Sequence, residues 1–309
     1  MTRNIPLISV ITCTHNPKPA YLARVLEALK RQTLPLTEWE FLLVDNASRE
    51  ALSASVDIKW HPLARHIRED ELGLTAARLC GIREAKGELL VFVDDDNVLS
   101  PDYLSVANKL RLEKRWMGAF SGQCEAVFEE PPPEWTAAFR SNLVIREVKR
   151  DCWSNLPAVN ETMPYGAGLC VRREVADFYR MLHETGKRPV KCDRIGKSLL
   201  SGGDNDLAAC AADLGLGMGV FAELKLKHLI LPERLTEDYL LRLTEGIAYS
   251  GVFTHSFRDI LRPLPSFGRR LLDFIKLFFM SPRQRRFFLA NKRGERRGHR
   301  DLAKAVTGI

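Results

Sequence analysis

Residues 89–104 read LLVFVDDDNVLSPDYL, and this stretch decides how the chain is expected to fold. A short apolar run of the kind that forms a buried strand ends in three adjacent carboxylates, Asp94, Asp95 and Asp96. Like charges this close repel one another unless a positive group lies between them. Adjacent strand residues point to opposite faces, so Asp94 and Asp96 are expected on one side and Asp95 on the other. The stretch therefore predicts a strand whose carboxyl end holds a cation.

Two earlier apolar runs predict further strands of the same sheet. PLISVITCT (6–14) is followed by the turn-forming HNPKP, and EFLLVDNAS (40–48) contains Asp-Asn at its end. Helical spacing of apolar residues predicts helices over 20–32 and 73–85. Apolar strands that alternate with helices are typical of an α/β fold with a mostly parallel sheet covered on both faces. Ligands bind beyond the carboxyl ends of such strands, and all three runs end in polar residues, which predicts one shared site.

The pattern after Pro101 is less regular. The remaining elements are expected to be loops or short elements over 136–165, an alanine-rich helix with a glycine-rich exit over 202–217, a strand over 224–232 and helices from about 236. The prolines of EEPPPEW (129–135) exclude a regular helix or a central strand. Gly215, Gly217 and Gly219 follow a helix rather than join a strand to one, so we interpret them as helix termination and not as a dinucleotide-binding loop.

The composition of the 309 residues is that of a globular protein, with 45% apolar and 28% charged residues. No apolar stretch approaches the roughly 18 to 20 residues that cross a bilayer. The N-terminus is interrupted by polar residues and lacks a small-residue cleavage site, which argues against a signal peptide. The seven cysteines are scattered, odd in number and without a C-x-x-C pair. They predict free thiols rather than disulfides or a zinc site, so a cytoplasmic location is expected.

Much of the net charge of +7 comes from the C-terminal part of the chain. In residues 269–300, basic residues alternate with Phe and Leu rather than forming a purely solvated run. Such a segment suits contact with an anionic surface, either membrane phosphates or nucleic acid. A surface helix followed by a frayed tail explains the same composition.

Asp94 and Asp96 by themselves fit a hard divalent cation. Mg²⁺ or Mn²⁺ is typically held by one or two carboxylates and completed by the phosphates of a substrate. The alternative is a solvated, Asp-rich turn, and the three acids alone do not separate the two interpretations. Their position after a buried-type strand favours the cation, because packing gives no reason for acids there.

Taken together, these stretches resemble the family-2 glycosyltransferases of the GT-A fold, which carry a D-x-D motif. The resemblance lies in ISVITCTHN, LLVDNAS, GLTAARLCGIREAKGELLVFVDDDNVLSPDYL, PYGAGLCVRRE and SGGDNDLAACAADLGLG, and it covers about 230 residues in the same order. It implies a GT-A domain over 1–235, with a nucleotide-binding half (1–100) and an acceptor-binding half (101–235), followed by a helical, basic C-terminal region (236–309). It also implies an inverting enzyme that uses Mn²⁺ or Mg²⁺.

The resemblance implies roles in donor binding for residues near the strand ends. The residues expected to bind the nucleotide sugar are Thr12, Thr14, Asn16, Asp45, Arg78, Asp94 and Asp95. Asp45 would accept a hydrogen bond from the base, most naturally the imide N–H of uracil or thymine, and Arg78 would lie near the diphosphate. Asp96 would bind the metal with Asp94 and His228, since neutral imidazole is a competent ligand for Mn²⁺. Each assignment has an alternative without a ligand. The residues at the strand ends would then serve only to form turns. Arg78 would be a charge on the surface of its helix, and His228 a packed, hydrogen-bonded residue of a strand.

The stretch GGDNDL (202–207) supplies the candidate base. An inverting transferase needs a carboxylate that takes the proton from the attacking acceptor hydroxyl. The family has Glu-Asp followed by x-[DE]-Leu at the start of a helix, which matches Asp204 to the base and Asp206 to the downstream acid. Gly203 stands where the family has Glu, so the chain departs from the pattern there. The alternative for Asp204 is an N-cap of the alanine-rich helix.

The acceptor is expected to lie over a glycine-bearing loop. Tyr165, Gly166 and Gly168 match this loop of the family, where small residues let a sugar approach the backbone. Trp135, after three prolines, is interpreted as a stacking platform for an acceptor sugar, or alternatively as a core anchor. Asp206 completes the expected acceptor-binding residues.

Three functions compete for this sequence. The favoured one is a metal-dependent, inverting glycosyltransferase that moves a sugar from a UDP or dTDP donor to a glycan or glycolipid hydroxyl in envelope or surface polysaccharide synthesis. A nucleotidyltransferase that makes sugar nucleotides needs a glycine-rich loop after the first strand, and TCTHNPK (12–18) has no glycine. A non-enzymatic anionic-surface binder explains residues 269–300 but not the ordered acids. We expect the basic segment to hold the enzyme at the cytoplasmic membrane face, and no nucleic acid among its partners.

Overall fold

The computed structural model describes residues 6–157, 160–190, 192–196, 198–261, 263 and 265–307, so the first five residues of the chain, part of the N-terminal expectation, lie outside it. The strands are β1 (Ile8–Thr14), β2 (Trp39–Asn46), β3 (Ala64–Glu69), β4 (Leu89–Phe92), β5 (Asn97–Leu99), β6 (Met117–Phe128), β7 (Cys152–Ser154), β8 (Leu169–Arg172) and β9 (Gly217–Ile230). The helices are α1 (Pro19–Lys30), α2 (Leu52–Ser55), α3 (Leu74–Glu84), α4 (Tyr103–Glu113), α5 (Arg173–Glu184), α6 (Gly203–Asp213), α7 (Glu237–Ser256), α8 (Phe267–Phe278) and α9 (Pro282–Thr307). Two 3₁₀ segments span Glu134–Leu143 and Pro232–Leu235.

The described strands form one mixed sheet in the order β3-β2-β1-β4-β8-β6-β9-β5, with β7 paired to β9. Strands β3, β2, β1 and β4 run parallel, β8 is antiparallel to both β4 and β6, and β6 is parallel to β9. The expected α/β architecture, with a parallel N-terminal half and a helical C-terminal extension, is confirmed. The parallel half brings the carboxyl ends of β1, β2 and β4 to one edge of the sheet.

Several elements were not expected from the sequence. Strand β3 has the sequence ARHIRE, is only partly buried, and lies at the edge of the sheet beside β2. It has no apolar run, and it forms a strand because its backbone pairs with that of β2. The expectation that Gly217 and Gly219 terminate a helix is wrong, because both lie in β9. Only Gly215, with φ of +76°, lies in the turn that ends α6.

Apolar layers cover both faces of the parallel half. Ile8 and Val10 of β1 pack with the apolar face of α1, while Ile11 packs with α3 on the opposite face. A Cβ on Gly81 would lie 2.6 Å from Cγ2 of Ile11, so α3 approaches the sheet more closely than any larger residue permits. Each fully buried side chain of this size contributes about 1.5 to 3 kcal/mol. This packing fixes the end of β1 against the ends of its neighbours.

The C-terminal helices pack on the 3₁₀ segment 134–143. A separate apolar cluster joins Leu143 of that segment to Leu240 of α7 and Phe287 of α9. Arg293 of α9 pairs with Glu245 of α7 at 3.1 Å. Helix α8, in contrast, has no buried residue. None of the described helices combines the length and apolar character that crossing a bilayer requires.

Candidate active site

A polar cleft of about 240 Å³ opens beyond the carboxyl ends of β1 and β4. Its charged lining residues are five carboxylates, Asp94, Asp95, Asp96, Asp193 and Asp204, and three guanidiniums, Arg78, Arg194 and Arg234. Thr14, Gly166 and His228 also line it. These described lining residues thus include two more carboxyl groups than guanidiniums. The cleft therefore favours a ligand or ion that brings positive charge.

The three adjacent aspartates lie on a turn rather than on a strand. Strand β4 ends at Phe92, and the backbone N–H of Asn97 donates to the carbonyl of Asp94 at 3.0 Å. The expected alternation of Asp94 and Asp96 against Asp95 across a strand is therefore wrong. All three side chains nevertheless line the cleft. This is possible because side chains alternate between opposite faces along a strand but not in a turn.

The three carboxylates have different surroundings. Asp95 accepts a hydrogen bond from the hydroxyl of Thr14. Asp96 is buried, accepts from Asn97 Nδ2 at 2.9 Å, and pairs with Arg234 at 2.9 Å. Among the described residues, the Asp94 side chain has no hydrogen bond or ion pair, and it remains the open ligand of the turn.

Burial and charge shift the pKa values of the turn in opposite directions. Burial raises the pKa of Asp94, and burial with the charge of Asp96 raises the pKa of Asp95 to about 7. Burial also acts to raise the pKa of Asp96, but the adjacent imidazole of His228 and the guanidinium of Arg234 prevail and hold this pKa well below its usual range. At neutral pH Asp96 is therefore ionised, whereas Asp95, with a pKa of about 7, is only partly ionised.

A hydrogen bond from its ring to the backbone carbonyl of Leu143 orients His228 toward Asp96. Its Nδ1 lies 3.0 Å from the carbonyl oxygen of Leu143, so Nδ1 carries the proton and Nε2 presents a lone pair. That Nε2 lies 3.4 Å from a carboxylate oxygen of Asp96 and 3.0 Å from Arg234 NH1. Two atoms of the kinds that bind Mn²⁺ thus lie within 3.4 Å of each other, and the guanidinium of Arg234 contacts both.

The residues present fit a divalent cation. Within the described part of the chain, no group of three or more His, Cys, Asp or Glu side chains forms a metal site by itself. Mg²⁺ and Mn²⁺ sites that also use substrate phosphates need only one or two protein carboxylates. The convergence of Asp96 with His228, the open Asp94 beside them and the negative excess of the cleft meet that requirement.

Arg78 is buried inside the site rather than on the surface. Its guanidinium pairs with Asp193 at 2.7 Å, and both side chains are 4% exposed. Although burial opposes the charged form, the carboxylates of Asp193, Asp204 and Asp94 raise the pKa of Arg78 above its usual value. The surface-charge alternative for Arg78 is therefore wrong.

Asp204 faces the cleft from the first turn of α6. The N-cap of this helix is Gly202, and the Asp204 side chain makes no capping hydrogen bond. Instead its Oδ2 accepts the backbone N–H of Gly166 at 2.8 Å, from the predicted glycine loop. A Cβ on Gly166 would lie 2.7 Å from the same oxygen, so only glycine allows this approach. The capping alternative is thus excluded, and no partner of Oδ1 is found in the described residues.

Several predicted donor-binding residues lie outside the cleft lining. Thr12 is fully buried within β1, and Asn16 lies on an exposed turn, where its backbone N–H donates to Ser48 Oγ at 2.9 Å. Asp45 accepts hydrogen bonds from the backbone N–H groups of Ser48 and Leu52, both at 3.1 Å, and pairs with Arg68 at 2.8 Å. Asp45 thus stabilises the loop after β2. A contact between Asp45 and a nucleotide base stays a prediction.

Most predicted acceptor residues also have structural contacts. Asp206 is buried between Arg188 and Arg258, each at 2.7 Å. Trp135 packs beside Phe139 in the cluster near α7 and α9. Their roles in acceptor binding stay predictions, and neither lines the cleft.

Two further acceptor-loop residues are placed by packing. The guanidinium of Arg146 lies 3.6 Å above the ring of Tyr165. Gly168 has φ of +67° and accepts the hydroxyl of Tyr103 at 2.6 Å through its carbonyl, so glycine is needed there for the backbone conformation. Of this loop, Gly166 and Ala167 reach the cleft, while the roles of Tyr165 and Gly168 toward a sugar stay predictions.

Sequence reasoning missed three charged residues of the cleft. Asp193 and Arg194 lie in an irregular loop before α6, where no period or motif marks them. Arg234 lies in the 3₁₀ segment after β9, and only its spacing of six residues from His228 could have drawn attention to it. These three residues reach the cleft only because the loop before α6 and the 3₁₀ segment after β9 pack next to the ends of β1 and β4.

The fold and the cleft define a class of protein: a GT-A type α/β protein with an acidic turn and a candidate base at one sheet edge. Residues 9–161 match the family model described as glycosyl transferase family 2, and this part of the chain belongs to that family. An uncharacterized glycosyltransferase, YwdF of Bacillus subtilis, is 32% identical over 97 residues, which are 31% of this chain and 35% of YwdF. The chain thus spans about a third of the length of YwdF.

Two solved structures share the fold. The mannosyltransferase PcManGT from Pyrobaculum calidifontis, in complex with GDP-Man and Mn²⁺, aligns with a TM-score of 0.54 and 19% identity, covering 98% of this chain and 76% of that one. S. aureus TarS 1-349 in complex with UDP-GlcNAc aligns with a TM-score of 0.51 and 18% identity, covering 79% and 66%. Likeness at this identity establishes the fold.

Proposed function

We propose that the protein is an inverting glycosyltransferase that moves a sugar from a nucleoside diphosphate sugar to a hydroxyl group. One observation carries the proposal: the acidic turn and the partly exposed carboxylate of Asp204 lie in the same cleft, at the edge where a parallel sheet binds ligands. The family match over residues 9–161 supports the same reaction class.

We propose a divalent cation, Mn²⁺ or Mg²⁺, as the partner of the acidic turn. Asp96, His228 and Asp94 would hold it. When bound, such an ion neutralises the charge that develops on a leaving diphosphate. The PcManGT complex contains Mn²⁺, which supports a divalent ion in this fold without deciding between the two metals.

The guanidiniums of the cleft suit a diphosphate. Arg234 and Arg194 line the cleft beside the acidic turn, and Arg side chains match phosphate oxygens with paired hydrogen bonds. The similar structures hold UDP-GlcNAc and GDP-Man, so the nucleotide sugar class is supported while the base is not. A UDP or dTDP donor remains our proposal, on the predicted role of Asp45.

Asp204 is proposed as the general base. Its Oδ2 is held by Gly166, so Oδ1 is left to accept the proton of the acceptor hydroxyl as the oxygen attacks the anomeric carbon. The guanidinium of Arg78, which is paired with Asp193, also lies close enough to Asp204 to attract its carboxylate. A base on the side of the sugar opposite to the leaving diphosphate gives inversion.

The acceptor is proposed to be a glycan or glycolipid of the cell envelope or of surface polysaccharide, reached from a membrane surface.

A thermal-shift screen tests the donor class. UDP-, dTDP- and GDP-sugars are compared with and without Mn²⁺, because a ligand that binds only the folded state at about 100 times its Kd adds about 2.7 kcal/mol of stability. Asp96→Ala should lose the metal-dependent increase, whereas Asp102→Asn, a change at an exposed carboxylate, should keep it. A protein that none of these donors stabilises, with or without Mn²⁺, would contradict the proposal.

A further inference from the structure

Helix α8 is amphipathic, and its apolar face points away from the protein. At 3.6 residues per turn, Phe267, Leu271, Phe274, Ile275 and Phe278 share one face, and all five are exposed. Of the sixteen large apolar side chains exposed in the described residues, seven lie within 267–279. An amphipathic surface helix ordinarily turns this face to the core, so the orientation of α8 indicates a partner outside the chain.

The side of α8 that is fixed to the protein is its polar side. Asp273 is only 14% exposed and lies 3.5 Å from the ammonium of Lys292 on α9. Leu277, one turn further, lies with Phe288 and Lys292 along the groove between the two helices. The ion pair and the contacts along this groove thus hold α8 in place, while Phe274 at the edge of the groove and the other four apolar side chains stay exposed.

Basic side chains border the apolar face. Arg270 lies along one border of this face, Lys276 lies beyond Leu272 on the other side, and Arg269 follows next to Lys276; all three are exposed. The single acid of the helix, Asp273, pairs with Lys292 of α9. An outward surface with an apolar centre and a positive rim is complementary to the boundary between acyl chains and anionic headgroups.

We propose that α8 docks the protein on an anionic lipid bilayer, lying in the plane of the interface. Its 12 residues are too short to cross a bilayer, which needs about 20. Nucleic acid would engage the positive rim but not the apolar centre. A second copy of the chain would cover the apolar centre but would not require anionic lipid. The proposal goes beyond the transfer reaction and does not depend on it.

Cosedimentation of the full chain with vesicles tests this docking. Vesicles of phosphatidylcholine with added phosphatidylglycerol should bind the protein, and binding should weaken as salt rises. Phe274→Ser with Phe278→Ser should lower the partition coefficient at least tenfold. Arg269→Gln, Arg270→Gln and Lys276→Gln combined should lower it roughly a hundredfold on anionic vesicles, since each charge near the surface contributes about 1 kcal/mol.

Matched controls separate docking from general effects. Leu112→Ser removes an exposed apolar residue of α4, and Arg49→Gln with Lys59→Gln and Arg115→Gln removes three exposed charges elsewhere. Both controls should bind vesicles like the wild type, as should Asp204→Asn, which tests independence from catalysis. Equal binding by the α8 variants and the controls would overturn the proposal. So would a concentration-dependent dimer that the phenylalanine changes abolish, if the wild type does not bind vesicles.

Discussion

Two clusters of buried acids and arginines lie on either side of α6, and they differ in what they leave open. The cleft cluster consists of the charged cleft residues around Asp204, including Arg78, Asp193, Asp96 and Arg234. The anchor cluster consists of Asp206 with Arg188, Arg258 and Asp213. Asp204 and Asp206 are two residues apart in one helical turn, yet both oxygens of Asp206 are paired with guanidiniums, while Asp204 has an oxygen open to the cleft.

The difference separates charges that stabilise the fold from charges that remain available for chemistry. A buried carboxylate whose hydrogen bonds are all made gains nothing from a ligand, and removing it leaves its partners unpaired. A carboxylate that is held on one side and open on the other can accept a proton or bind a cation. We therefore expect substitutions in the anchor cluster to change stability, and those in the cleft cluster to change ligand binding or turnover.

The largest effect is expected for Asp204→Asn. The amide keeps the shape of the side chain but cannot take the acceptor proton, so turnover should fall about 10²- to 10⁴-fold. Donor affinity and the melting temperature should stay close to those of the wild type. Initial rates with the donor found by the thermal-shift screen, using water or a sugar as acceptor, measure this. Loss of donor binding in this variant would instead place Asp204 in the donor site.

Asp206→Ala should show the opposite pattern. Breaking a buried ion pair by removing one partner typically costs about 3 to 5 kcal/mol, and here two guanidiniums lose their partner. The free energy of unfolding, from urea denaturation, should fall by that amount, while the folded fraction keeps its turnover. Asp213→Ala, at the more exposed edge of the same cluster, should cost much less. A stable Asp206→Ala protein that binds acceptor weakly would support the predicted acceptor role of Asp206.

A smaller effect is expected for Arg234→Gln on metal binding alone. The guanidinium contacts both Asp96 and His228, so a cation held by these two side chains would compete with it. Hydrogen bonds to charged groups contribute about 1.5 to 3 kcal/mol, so Mn²⁺ affinity without nucleotide should rise about tenfold or more. Isothermal titration with Mn²⁺ measures this, with Arg24→Gln, outside the cleft, as control. Unchanged Mn²⁺ affinity would show that Arg234 does not occupy the metal position.

The sequence was sufficient for the elements whose signals are local. Strands β1, β2 and β4 have continuous apolar runs, and the acids after β4 are adjacent in the chain. The contacts that complete the cleft could not be read from the sequence, because Asp193 pairs with Arg78 across 115 positions and His228 meets Asp96 through the pairing of β9 with β5. The same limit applied to Asp204 and Asp206, which lie together in GGDNDL. Only the structure shows that two arginines pair with Asp206, while Asp204 is held by Gly166 and keeps one oxygen open to the cleft.

The smallest and most gradual effect is expected for Asp45, which resembles the anchor cluster in having its oxygens paired. Burial acts to raise the pKa of Asp45, but hydrogen bonds from Ser48, Leu52 and Arg68 prevail and lower it below 3.8. A lowered pKa in the folded state means that ionised Asp45 stabilises the fold above about pH 4, and that this contribution is lost as the pH falls through the folded-state pKa. The difference in unfolding free energy between wild type and Asp45→Asn should therefore be largest at neutral pH and shrink toward pH 3.

Urea denaturation of both proteins across this pH range measures the difference. A donor-binding assay on the same variant at neutral pH tests the predicted contact of Asp45 with uracil or thymine. If Asp45→Asn weakens UDP binding at unchanged stability, Asp45 belongs with the open charges of the cleft rather than with the paired ones.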